Sequence, residues 1–170
     1  QKTVDDYQKQ IDAVNKSYAD LTLTAPFAGK LIDAPDLKIG EDVSVGTKIG
    51  TLVDDKTMKL SLYFSYAYEN EFSVGKTATI SIPATMQTAT GTVETINKVK
   101  RVSPEGSMLF EVIFSMKNSG TLTADMGATA SLLGSNGEEI YPYEPGVLEY
   151  NRSQELTTKA GGELLAANLL

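Results

Sequence analysis

The hydrophobic pattern changes period at Leu21, and that change limits the chain to a helix followed by a mainly β body. Val4, Tyr7, Ile11, Val14 and Tyr18 follow one another at spacings of 3, 4, 3 and 4. This heptad period draws a narrow apolar seam along one face of a helix over residues 1–20. Asp5, Asp6, Gln8, Lys9, Gln10, Asp12, Asn15 and Lys16 keep the other faces wet. A short helix with so narrow a seam is marginal alone in water. The seam residues are therefore expected to pair with another helix, from missing sequence or from another chain. The plainer alternative is a single amphipathic helix lying on the β body.

From Leu21 the period is two. Leu21-Thr22-Leu23-Thr24-Ala25 alternates as a short strand until Pro26 breaks it. Pro26, Gly29, Pro35, Gly40, Gly46 and Gly50 punctuate the next stretch at short intervals. Short strands between such turns imply a small sandwich or barrel unit. Farther on, Leu60, Leu62 and Phe64 share a face, as do Ala78, Ile80 and Ile82, then Phe110, Val112 and Phe114, then Ala128, Ala130 and Leu132. With a further strand from Thr90 to Ile96 and one helical turn between Ser65 and Val74, residues 58–134 predict a small closed barrel. The turn signal Gly134-Ser135-Asn136-Gly137 sets off a third β region over 135–170. In that region Thr157 to Leu164 weakly echoes Leu23 to Leu31.

Composition narrows the chemistry. Among 170 residues there are 15 basic and 22 acidic side chains, a net charge of −7, and no Cys, His or Trp. Without Cys there are no disulfides, thiol nucleophiles or thiolate zinc sites. Without His the usual general base and the commonest metal ligand are missing. The acidic balance opposes nucleic-acid binding. No apolar run approaches the roughly 20 residues of a membrane span. Asp54-Asp55 and Glu138-Glu139 are adjacent pairs, which on strands point to opposite faces and read as solvated turns. Asp33, Asp36, Glu41 and Asp42 lack the spacing of a calcium loop. No catalytic residue, cofactor or metal is expected. A start at Gln1 and an apolar end, Leu164 to Leu170, suggest a mature product or an excised fragment.

Leu23-Thr24-Ala25-Pro26-Phe27-Ala28-Gly29-Lys30-Leu31, followed by Ile39-Gly40-Glu41-Asp42-Val43-Ser44-Val45-Gly46-Thr47-Lys48-Ile49, resembles a lipoyl/biotinyl half-motif. In it Pro26, Gly29, Gly40 and Gly46 shape the turns. Asp54 to Leu62 through Glu69 to Ile80, then Gly91-Thr92-Val93-Glu94-Thr95-Ile96, Phe110-Glu111-Val112 and Leu122 to Ala130, are similar to barrel strands of periplasmic adaptors, or membrane fusion proteins, of the HlyD and MacA types. That resemblance implies a descending coiled-coil helix of an α-hairpin at 1–20, the second half of a lipoyl-like barrel-sandwich at 21–57 and a β-barrel at 58–134. It places the start of a truncated membrane-proximal β domain at 135–170. It further implies a non-enzymatic, extracytoplasmic protein of the cell envelope. Its partners would be an inner-membrane transporter (an ABC permease or RND pump), with or without an outer-membrane channel, and other adaptor protomers. A second reading, a biotin or lipoyl carrier, rests on Met58-Lys59-Leu60, with Lys59 as the modified residue. A third, an extracellular adhesive β module, rests on Tyr63, Tyr66 and Tyr68 as an exposed aromatic patch.

Overall fold

The computed structural model describes residues 2–165, so part of the apolar segment Leu164 to Leu170 lies outside the described residues. The chain is mainly β with one N-terminal helix. Helix α1 spans Lys2–Asp20. The strands are β1 (Lys30–Ile32), β2 (Asp42–Val43), β3 (Lys48–Ser65), β4 (Thr77–Ile82), β5 (Gln87–Val102), β6 (Met108–Lys117), β7 (Gly127–Leu133), β8 (Glu139–Ile140), β9 (Gly146–Thr157) and β10 (Gly162–Glu163). Every registered strand pair is antiparallel. The chain divides into two compact units, Gln1–Val53 with Ser153–Leu170, and Asp54–Arg152.

The continuous unit, 54–152, holds the core. Its strands pair in the cyclic order β3, β6, β5, β4, β7, β9 and back to β3. The ring follows from strict alternation: Met58, Leu60, Leu62 and Phe64 on β3 are buried, and their neighbours in sequence are not. Ile80, Ile82, Val93, Phe110, Val112, Phe114, Ala130 and Leu148 complete the interior. Phe72 seals one region of it, 4.6 Å from the Phe64 ring and edge-on to Phe110 at 5.2 Å. Phe72 follows a short 3₁₀ segment, Tyr66–Glu71, which occupies the expected helical turn.

The discontinuous unit is built differently. Pro26 opens a bend at 26–28 that delivers the chain to Gly29 and β1. β1 pairs with the start of β3, Lys30 opposite Val53. β10 pairs with β2, Gly162 opposite Val43. Only Leu52, Val53 and Leu156 are buried hydrophobic residues there, among the described residues.

Three expectations are corrected. Leu21 to Ala25 forms no strand, because its alternation finds no partner strand among the described residues. The boundary expected at 57 falls inside a strand: β3 carries both the end of the 21–57 stretch and the face of Leu60, Leu62 and Phe64, and it exchanges β1 for β6 as its neighbour at the polar stretch Asp54 to Lys56. Residues 135–170 do not form a separate region. Ile140 and Leu148 complete the core of the 54–152 unit, whereas the stretch from 153 returns to the unit that begins the chain.

Candidate functional site: an exposed helical seam

Helix α1 buries no side chain. Val4, Tyr7, Ile11, Val14 and Tyr18 are between 53% and 69% exposed. Five large apolar residues on one stripe are costly to hydrate. Covering them removes apolar area worth about 25 cal/mol per Å². Asp5 in the first turn favours the positive end of the helix, while the last turn carries no basic residue. Backbone bonds from Leu21 N to Tyr18 O and from Thr22 N to Ala19 O, each 3.2 Å, close the C-terminal end. The structure thus brings all five predicted seam residues onto one open face, and no described side chain covers it.

The turn residues predicted from the half-motif occupy demanding backbone positions. Gly40 and Gly46 have φ of +91° and +85°, where an L side chain is strained. At Gly29 the constraint is closeness: a Cβ there would lie 2.4 Å from Val53 O. Sequence reasoning missed the partner of this segment. Gly40 N donates to Leu164 O at 2.7 Å and Leu164 N to Glu41 O at 2.8 Å. Gly46 N donates to Thr158 O at 2.8 Å and Thr158 N to Thr47 O at 2.9 Å. Thr47 N also donates to Thr158 Oγ1 at 3.0 Å. The echo of residues 23–31 in 157–164 suggests the start of a second such unit, whereas in the structure this segment pairs with 40–47 of the first.

The competing sites are placed elsewhere. Lys59 sits within β3, opposite Ser115, and its Nζ donates to Glu94 Oε1 at 3.0 Å. A carrier lysine needs an exposed hairpin tip, and Lys59 has neither the tip nor a free amine. Tyr66 packs edge-on against Phe110 and lies under Lys100, whose Nζ is 5.2 Å from the ring. The Tyr63 ring lies under Arg101 at 4.5 Å. Of the three tyrosines only Tyr68 is exposed, at 42%. Asp33, Asp36, Glu41 and Asp42 are not brought together, and no cation-sized group of three acidic residues occurs among the described residues.

The carboxylates with shifted ionisation are tied up in structural bonds. Asn151 and the Lys56 amide donate to Asp54 and hold its carboxyl below the ordinary value. The Ser135 hydroxyl and amide do the same for Glu71, and the Tyr143 hydroxyl for Glu105. The Glu139 carboxylate accepts from the Tyr141 hydroxyl and raises that phenol's pKa. Two grooves, of about 170 and 160 Å³, have linings that include Ser61, Tyr63, Glu144 and Glu149 in the first and Leu23, Pro26 and Glu155 in the second. Neither approaches the about 300–1,000 Å³ of a small-molecule site. The α1 seam is therefore the principal candidate surface. Comparison of the chain with protein-family models, curated proteins and solved structures gives no match.

Proposed function

We propose that this chain is a non-enzymatic adaptor subunit of a bacterial transmembrane export machine. It links an inner-membrane transporter, an ABC permease or an RND pump, to extracytoplasmic partners that include an outer-membrane channel where the cell has one. It works in the cell envelope, beside other adaptor protomers, without a cofactor. The observation that carries this reading is an order of parts. A helix with an open heptad seam leads into a Pro/Gly-punctuated half-motif, and that leads into a ring of six paired strands. In this reading α1 is the descending arm of an α-hairpin and acts as a docking rod. Residues 21–53 are half of a lipoyl-like barrel-sandwich, and 54–152 are the adaptor's β-barrel. Recognition is by surface, which suits a chain whose best candidate feature is an uncovered helix face rather than a cleft.

The test is made in the complete gene. Deleting it is expected to raise retention of an exported dye, and V14E is expected to reproduce that loss while the purified protein keeps its β circular-dichroism signal. Export that is indifferent to the deletion overturns the adaptor reading. A biotin-sized mass increment on Lys59 after expression with a biotin ligase installs the carrier in its place.

A further inference from the structure

We infer that the α1 seam takes a helix selected by shape and not by charge: a heptad helix with uncharged flanks and short side chains facing Tyr7 and Tyr18. The inference rests on the helix-pairing role proposed above and names the partner's chemistry. Placing Val4, Ile11 and Tyr18 at the first core position of each heptad puts Tyr7 and Val14 at the second. The residues flanking the seam are then Thr3, Gln8, Gln10, Asn15 and Ser17, all amides or hydroxyls. Every charged residue of the helix (Lys2, Asp5, Asp6, Lys9, Asp12, Lys16 and Asp20) falls on the outward positions. The flanking groups are partly engaged already. Gln8 Nε2 donates to Asp12 Oδ1 at 2.9 Å, and Ser17 Oγ donates to Ala13 O at 3.0 Å.

Flanking positions are where coiled-coil helices choose partners by ion pairs. A partner flanked by lysine or glutamate finds no opposite charge there, and it loses hydration against amides without an ionic gain. The stripe is also too narrow for a lipid surface, which needs a broad apolar face opposite a basic one. The outward face of α1 carries more aspartates than lysines. A helix remains as the occupant, and the tyrosines fix its form. Filling the space across a seam at even density requires small residues opposite large ones. A second copy fits poorly. In a parallel pair each tyrosine meets its own counterpart, and in the two antiparallel registers Tyr7 meets Ile11 or Tyr18.

The experiment titrates the full chain with synthetic helical peptides of about three heptads, made in both orientations. One set has Gln/Asn flanks with Ala facing the tyrosines. The second and third replace the flanks by Lys or by Glu, and the fourth replaces the facing Ala by Leu. Affinity is read by calorimetry at about 50 and 500 mM salt. The amide-flanked, Ala-faced peptide is expected to bind most tightly, with less than about a twofold change with salt. The Leu-faced peptide is expected to bind about tenfold more weakly, and V14E to abolish binding. Tighter binding of a Lys- or Glu-flanked peptide at low salt, lost at high salt, overturns the inference and leaves helix pairing standing. Self-association by sedimentation that no peptide displaces also overturns it, in favour of a second copy. Failure of every peptide without self-association overturns the helix-pairing role itself.

Discussion

A methyl group on Gly29 would sit 2.4 Å from the Val53 carbonyl oxygen, well inside any real contact. Backbone, rather than a flexible side-chain end, has to move. G29A is expected to cost about 1–3 kcal/mol. It should appear as a lower urea midpoint and as faster amide exchange at Lys30–Ile32, where β1 pairs with β3. Exchange equal to the parent's would remove Gly29 from the account of this turn. Single carboxylates make a second prediction. Glu71 accepts from Ser135 Oγ at 2.7 Å and from Ser135 N at 2.8 Å, and these bonds lower its pKa. A lowered folded pKa adds stability above the unfolded value, near about 4.3 for Glu, and that stability fades as pH falls through the folded value. E71Q should be less stable than the parent at neutral pH, with the difference closing below about pH 4. A difference of constant size from pH 7 to pH 2 would rule out this linkage.

At the scale of elements, the end of β5 stands out. Residues 87–92 pair with β4, and beyond Val93 the registered partner of β5 is β6 alone. An open strand edge invites pairing with another chain. Lys98, Lys100 and Arg101 line this stretch, the register shifts between Asn97 and Arg101, and Glu69 of the 3₁₀ segment reaches Lys98 at 3.9 Å. Charge and a bulge together blunt such an edge. The triple variant K98V/K100V/R101V is expected to aggregate at concentrations where the parent is monodisperse by light scattering. A clear solution would show that the 3₁₀ segment suffices as a cover. The elements also show what could be read in advance. α1 and the faces of β3, β4, β6 and β7 were legible, because a heptad or an alternation is written in adjacent residues. The full length of β3 was hidden by Asp54-Asp55-Lys56-Thr57, a polar run that reads as a loop. It stays extended because the strand exchanges partners there. The pairing of 157–164 with 40–47 was hidden by distance: Thr47 and Thr158 are 111 residues apart, and no local pattern encodes such a return. The seam was legible as a candidate site for the same reason that its partner was not. A helix records its own face but not what covers it.

Across the whole molecule, buried apolar side chains concentrate between 54 and 152. F114A, in the centre of that core and 6.0 Å from the Phe64 ring, is expected to cost about 3–5 kcal/mol. It should lower the main thermal transition while leaving amide exchange in α1 and β2 unchanged. A matching loss in both units would mean that they unfold as one. The discontinuous unit, with three buried hydrophobic residues among those described, should exchange fastest and be cut first by proteases. The strand that enters the core-bearing unit and the strand that leaves it are paired, and Asn151 Nδ2 donates to Asp54 Oδ2 at 3.0 Å where they meet. Entry and exit are thus side by side, and a two-residue hairpin turn spans such a gap. A single in-frame deletion removes the unit whole, and a single in-frame insertion restores it. A gene of this kind can trade its core-bearing unit as a cassette while the reading frame of the helix stays untouched.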